Sequence, residues 1–342
     1  MSPIASALAL LETEVAALTA RVGRRVQVSE LGILQRTGHV ELTAPGLISP
    51  NRACRLFRAA DGWMALNLAR EEDRDLVPAW LGCDFGADPW DAVAIHARRH
   101  TRAALVEAAT LLALPAGAVG EAANDDVEAP RLRCAPGVTR RPASPPRVVD
   151  LSALWAGPMC GVILAAMGAS VTRIESARRP DPTRDNTPEF YRRLNAGKAH
   201  LSLDPGHAGD SARLLDAVLA ADILITGARP RGLASLGLEP AAVFAANPGL
   251  VWVAVSGYGF TGPAAERVAF GDDAAAAGGL VRWTPGGAPR FLGDALADPV
   301  TGLAAAVGAL KGLDEGGGVL VDVALARSAG AAASVCGLAR VT

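Results

Sequence analysis

The stretch LGDALADPVTG, residues 292–302, sets two carboxylates, Asp294 and Asp298, among small and apolar neighbours. Two readings are open for Asp298. An aspartate ahead of a proline is a favoured helix N-terminus, so Asp298 can cap a helix that opens at Pro299. The same carboxylate can attack an activated carbonyl, which divides one hard acyl exchange into easier steps. That chemistry needs N–H donors for each tetrahedral intermediate, and small neighbours let backbone approach closely. Asp294 is the second candidate.

Other reactive side chains carry less. His96 and His100, in HARRH, stand one helical turn apart, which can be metal-ligand spacing. No Glu occupies the HExxH position and no third ligand is evident, so the pair reads as a solvated, Arg-rich helix face and no metal is expected. Cys54, Cys83, Cys134, Cys160 and Cys336 are scattered, with no CxxC pair and no nucleophile motif. Scattered thiols fit a reducing cytoplasm better than a disulfide framework. The turn LSALWAGPMCG (151–161) lacks G-x-G-x-x-G, which argues against a nicotinamide dinucleotide. A helix N-terminus above a sheet's carboxyl edge still offers N–H groups to another phosphate-bearing cofactor.

These residues need a scaffold. The 342-residue chain is 50% hydrophobic and 20% charged, a globular composition with room for two domains. A net charge of −2 gives no reason to expect nucleic acid or an anionic membrane as partner. The opening MSPIASALALLETEVAAL lacks a basic n-region and reads as an amphipathic helix over about 3–22, not a signal peptide. No uncharged apolar run reaches the roughly 18 residues of a membrane span. The expectation is a soluble, cytoplasmic protein.

Residues 125–146 hold five prolines and four arginines and read as a linker. After it, β-branched runs alternate with helical stretches. Strands are expected at 147–152, 170–176, 222–226, 250–257 and 319–325, with helices at 157–169, 210–220, 240–246 and 299–312. That alternation means βαβ units: a Rossmann-like α/β fold, mostly parallel, with helices on both faces. Before the linker, RLFRAADGWMALNLA (55–69) reads as a β-hairpin turning at Asp-Gly, followed by helices near 74–81, 88–97 and 101–112. The predicted division is a small α+β domain at 1–124, the linker at 125–146 and the large domain at 147–342.

The segments after residue 145 resemble the family III CoA-transferases, the superfamily of formyl-CoA transferase, carnitine CoA-transferase and α-methylacyl-CoA racemase. The matching pieces stand in the family's order: RVVDLSALWAGPMCGVILAAMGASVTRIE, DPTR (181–184), NAGKAHLSLD (195–204), ADILITGARPRGLASLGL, NPGLVWVAVSGYGFTGP, LADPVTGLAAAVGAL and VDVAL. FRAADGWMALNL and LALPAGAVGE (112–121) resemble the family's small domain, which there follows the large one. Here it comes first, so the chain looks circularly permuted.

The resemblance implies an acyl-CoA:carboxylate CoA-transferase acting through an aspartyl anhydride and thioester, with Asp298 as nucleophile. Coenzyme A, as acyl-CoA, would be held by Leu154, Trp155, Ala156, Gly157, Pro158, Asn195, Lys198, Arg229 and Pro230, with Lys198 and Arg229 suited to its phosphates. The partners implied are a small carboxylic acid and a second copy of the chain in an intertwined homodimer. The sequence departs from the pattern at Gly227-Ala228-Arg229-Pro230-Arg231, where the family favours Asn-aromatic-Arg-Pro-Gly. Trp155 stands where formyl-CoA transferase has glutamine, which implies a different substrate. The racemase branch carries a histidine within the segment matching AFGDDAAAAGG (269–279); Asp272 and Asp273 are the ionisable groups there, which favours transfer over isomerisation. A CoA-binding protein without activity is the third reading.

Overall fold

In a computed structural model, which describes residues 4–83, 88–123, 126, 128–140 and 142–338, the chain opens with helix α1 (Ala5–Val22). Ala7, Leu11, Val15 and Leu18 recur at three- and four-residue spacing and so line one face, all buried. This face packs into the core of the large unit, beside residues from near the other end of the chain. Helix α1, in the segment expected to form the small domain, thus packs on elements that follow the linker in sequence. An amphipathic stripe specifies that a helix must be covered, not by which body. The predicted boundaries at residues 1, 124, 125 and 342 themselves lie outside the described residues.

A short 3-10 turn (Val28–Leu31) leads into an irregular strap, residues 32–53, and then into the small unit. Strands β1 (Cys54–Ala59) and β2 (Gly62–Asn67) pair antiparallel from Cys54↔Asn67 to Ala59↔Gly62. The turn is thus Ala60–Asp61, one residue ahead of the Asp-Gly pair. Helices α2 (Glu71–Asp75), α3 (Val77–Leu81), α4 (Pro89–His96) and α5 (Arg102–Leu112) follow. Asp88 and Thr101 cap α4 and α5 with their side chains. Strand β3 (Ala116–Ala118) completes the sheet on β2, over a core that includes Met64, Leu66, Trp80 and Leu105.

The proline-rich linker is not free of structure. Between Pro130 and Pro136, strand β4 (Arg131–Arg133) pairs antiparallel with β12 (Val319–Ala324) at the sheet edge. Proline is excluded from a ladder's interior, but a three-residue edge strand between two prolines sacrifices no ladder bond.

The large unit continues β5 (Arg147–Leu151), α6 (Ala156–Met167), β6 (Ser170–Ser176), α7 (Thr183–Asn186), α8 (Pro188–Leu194) and β7 (Ala199–Leu203). Next come α9 (Ala208–Ala220), β8 (Ile223–Thr226), α10 (Pro230–Ala234), α11 (Pro240–Ala246), β9 (Val251–Ser256) and α12 (Gly271–Ala277). The hairpin of β10 (Val281–Trp283) and β11 (Pro289–Phe291), then α13 (Ala297–Asp314), β12 and α14 (Leu325–Val335) complete it.

The seven-stranded sheet has the order β4-β12-β9-β8-β5-β6-β7 and is parallel except at β4. The chain winds from β5 outward to β7, then returns to β8 and winds the other way. The switch point between β5 and β8 is where doubly wound sheets open a crevice at their carboxyl ends. One face is covered by α1, α6, α13 and α14, the other by α9, α10 and α11. Apolar strands such as VWVAVS follow from this two-sided burial. The small sheet is joined to the large unit through a shared cluster of Cys54, Leu56, Ala65, Val119, Ala276, Val281 and Phe291.

Candidate active site

Asp298 lies in the first turn of α13, but it is not the cap. The cap position is Leu296, the helix begins at Ala297, and no side chain caps it. The expected opening at Pro299 is two residues late: a proline in the first helical turn lacks an N–H that has no intrahelical partner anyway. Freed from capping, the Asp298 carboxylate is turned toward the Ala156 N–H at the start of α6, which favours its charged form. It also faces the start of α12, where a Cβ on Gly271 would stand 2.1 Å from Asp298 Oδ2. Three helix N-termini thus surround one carboxylate that remains partly exposed.

Asp298 is one of four aspartates gathered here. Asp272 Oδ1 accepts from the Ala295 N–H at 2.7 Å, and its Oδ2 accepts from Asn51 Nδ2 at 2.6 Å. The same Asn51 amide reaches Asp294 Oδ1 at 2.8 Å. Arg36 forks onto Asp294, Nε to Oδ2 at 2.9 Å and Nη2 to Oδ1 at 2.7 Å, and lies 5.2 Å over the Trp155 ring. Asp273 is fully buried; its Oδ1 accepts from the Phe270 N–H, and its Oδ2 has no hydrogen-bond partner among the described residues.

These surroundings displace the carboxyl groups upward. Poor solvation pushes Asp298 up to about 7; Arg36 opposes the shift, and Asp272 and Asp294 add to it. Burial, reinforced by Asp294, pushes Asp272 up to about 6. Burial holds Asp273 well above the usual carboxylate range. A carboxyl group pushed toward neutrality within a cluster of charged groups is a functional candidate on physical grounds.

The first βα turn is braced from within. Lys198 Nζ donates to Asp150 Oδ2 at 2.8 Å, the Pro158 carbonyl at 2.9 Å and Asn195 Oδ1 at 3.3 Å, which engages all three ammonium donors. Its side chain is 0% exposed. Lys198 therefore points inward here and presents no charge to a phosphate, contrary to the expectation from its motif. Asn195 is buried with it and also accepts from Arg173. Asp150 Oδ1 in turn accepts from Ser152 N–H and Oγ–H. Leu154 adopts φ 68°, a left-handed conformation rare for leucine, and its N–H donates to Asp181 Oδ2 at 3.0 Å. Trp155 is buried, donating Nε1–H to the Ile33 carbonyl at 2.9 Å. Gly157 packs where a Cβ would strike Ser152.

A cleft of about 410 Å³ opens at the switch point, lined among others by Ser152, Ala153, Arg179, Asp181, Pro205 and Ala228. The turn that lines it at Ser152 and Ala153 reaches Asp298 three residues later, at Ala156. Arg229 and Pro230 follow Ala228 and are partly exposed; Arg229 Nη1 donates to the Glu266 carbonyl at 3.3 Å. Leu154, Trp155, Ala156, Gly157 and Pro158 follow in sequence on the lining residues Ser152 and Ala153, and Arg229 and Pro230 on Ala228, but none of these, nor Asn195 or Lys198, lines the cleft itself.

Arg36 and Asn51 were not expected from the sequence. They lie in the strap, whose RTGHVELTAPGLISPN has neither helical nor strand period. Among the described residues no group of three His, Cys, Asp or Glu could hold a metal ion, and no helix is long and apolar enough to cross a membrane.

An open, mostly parallel sheet that winds both ways from the β5–β8 switch point, with a cleft there, defines a doubly wound α/β protein. The chain belongs to CoA-transferase family III, whose profile matches residues 145–337. It is 32% identical over 198 residues to a succinyl-CoA–D-citramalate CoA-transferase of Chloroflexus aurantiacus, covering 54% of this chain and 49% of that one. It is 34% identical over 205 residues to the alpha subunit of a succinyl-CoA–L-malate CoA-transferase of the same organism, covering 55% and 48%. Among solved structures, a CAIB/BAIF family protein from Brucella suis superposes with a TM-score of 0.51 at 26% identity, over 62% of this chain and 56% of that one. The chain spans about half the length of the curated relatives it matches.

Proposed function

We propose that the protein is an acyl-CoA:carboxylate CoA-transferase in which Asp298 is the nucleophile. The observation that carries this reading is the placement of Asp298: a partly exposed carboxylate with no capping role, in the first turn of α13 and turned toward Ala156, three residues beyond the cleft-lining Ala153. Ionised Asp298 attacks the thioester carbonyl and the C–S bond breaks, giving a mixed anhydride and CoA thiolate. The thiolate then attacks the aspartyl carbonyl, releasing the donor acid and leaving an aspartyl-CoA thioester. The acceptor carboxylate attacks that thioester in turn, and the same two exchanges in reverse deliver the new acyl-CoA. The Ala156 N–H at the start of α6 is placed to donate to oxygen on the reacting carboxyl.

Coenzyme A lies in the cleft in this reading, with Arg229 as the cation at its phosphates; Asn195 and Lys198 act beneath the turn. The relatives' names pair succinyl-CoA with hydroxy-dicarboxylic acids, which supports a short acyl-CoA donor and a small carboxylic acid acceptor here. The order of small unit before large, with the profile beginning at residue 145, supports a circularly permuted arrangement. A homodimer working in the cytoplasm completes the proposal.

An isomerase moving an α-proton needs a second acid–base group facing the substrate. Asp272, from the segment where the racemase branch carries its histidine, is buried and both its oxygens are engaged. The test is to incubate the protein with a panel of acyl-CoA donors and trap with hydroxylamine or borohydride. The expected result is an aspartyl hydroxamate or a reduced side chain at residue 298, absent in Asp298→Asn. CoA binding without any adduct overturns the reading in favour of an inactive binder, and deuterium entering the α-position overturns it in favour of the isomerase.

A further inference from the structure

We propose that Arg36, carried by the strap between α1 and β1, is the positioning residue that keeps the Asp298 carboxylate ionised, and that Asn51 anchors the neighbouring carboxylates to the same strap. This rests on the reading of Asp298 as nucleophile.

The argument begins with the charges around one point. Asp298 comes from α13, Asp294 from the loop before it, Asp272 and Asp273 from α12, Arg36 and Asn51 from the strap, and the Trp155 ring and Ala156 N–H from the start of α6. Asp272 and Asp298 both stand near like charges, which disfavours their charged forms unless a cation compensates. Among the described residues, the cation that bears on both Asp298 and Asp272 is Arg36.

Its position is fixed in two ways. The planar fork on Asp294 sets its direction, and the Trp155 ring lies against it, while Trp155 is itself tied to the strap by Nε1–H to Ile33. A lysine would keep the charge and lose the fork. Asn51 is oriented by its own oxygen, which accepts from the Ala53 N–H at 2.8 Å and Ser49 Oγ at 2.9 Å. That leaves the amide nitrogen for Asp272 and Asp294 and excludes the flipped amide. A protonated carboxyl is a poor nucleophile, so a cation that holds Asp298 ionised near neutral pH acts on the rate without touching the substrate.

The test reads the titration of Asp298 itself, by carboxyl-carbon NMR of protein labelled with 13C-aspartate, the resonance being assigned by its absence in Asp298→Asn. The wild-type midpoint is expected at about 7. Arg36→Gln should raise it by about 1 to 2 units. Asp294→Asn should lower it, since a like charge is removed and Arg36 is freed. The double variant should return most of the way to wild type, because one charge of each sign is gone. An unmoved midpoint in Arg36→Gln overturns the proposal. If that variant does not fold, Asp294→Asn decides: a midpoint unchanged or raised overturns it equally. No acyl-CoA is needed, so the two readings separate. The stated titration without a trapped adduct removes the transferase and spares Arg36; an adduct with an unmoved midpoint does the reverse.

Discussion

Gly271→Ala tests how closely the reactive carboxylate is held. In a helix, alanine for glycine is ordinarily favourable by up to about 1 kcal/mol. At Gly271 the new Cβ would stand 2.1 Å from Asp298 Oδ2, 2.7 Å from Ala295 Cβ and 2.8 Å from the Ala295 carbonyl oxygen, where ordinary contact begins at 3.4 Å. The backbone oxygen cannot rotate away, so the start of α12 must shift. Asp298 Oδ2 falls short of ordinary contact by 1.3 Å (3.4 minus 2.1), and its side chain must turn off the Ala156 N–H. A misplacement of about 1 Å costs about 100-fold in rate, or about 2.7 kcal/mol in the barrier. The overpacking itself costs about 1–3 kcal/mol of stability. The assay is kcat/KM for CoA transfer together with a thermal melt. The expected variant is folded, slower by about 100-fold and poor at forming the adduct. A folded Gly271→Ala protein within about threefold of the wild-type rate would refute the assignment of Asp298 as the attacking group.

The transfer rate at low substrate should rise with pH through about 7, the Asp298 midpoint, and fall about tenfold per unit below it. Stability should move oppositely. Asp272 and Asp298 are raised from 3.8 to about 6 and about 7, so the folded state holds their protons more tightly. Their contribution is fully present below about 3.8 and is lost as pH rises through 6 and 7. Asp298→Asn should therefore melt at least roughly 2 °C above wild type at pH 8, the difference closing near pH 4. Lys198→Met leaves Asp150 buried without its partner and should cost about 3–5 kcal/mol in denaturant unfolding, largely recovered when Asp150→Leu is added. Calorimetry should find CoA binding to Arg229→Gln weaker by about 3- to 10-fold, with a shallower salt dependence.

The legible part of the fold is the part with a period. Two-residue and 3.6-residue repeats mark β5, β6, β8, β9, β12, α6, α9, α11 and α13 within one to two residues at most ends. Helix α14, LARSAGAAASV, is mostly small residues, and its apolar side packs into the core. Strand β7, AHLSL, sits at the sheet edge with little burial to print a pattern. The order of motifs singles out Asp298 as a candidate, although its neighbours Arg36, Ala156 and Gly271 come from distant parts of the chain. The direction of Lys198 is not legible: a motif names a residue type, whereas the ion pair with Asp150, 48 residues away, decides which way it points. Arg36 and Asn51 stay hidden for the same reason, their partners lying more than two hundred residues further on.

The attachment of α1 to the large unit has a consequence for how the chain comes off the ribosome. Its apolar face is covered by α13 and α14, and Arg21 pairs with Asp314 across 293 residues of chain. At roughly 5–20 residues per second, that separation is about 15–60 s of synthesis. The sheet of β1, β2 and β3 closes on neighbours emerging just after it, so the small unit has its partners early. Helix α1 does not. For most of the chain's synthesis it carries an uncovered stripe of Ala7, Leu11, Val15 and Leu18, the kind of surface that holdase chaperones bind.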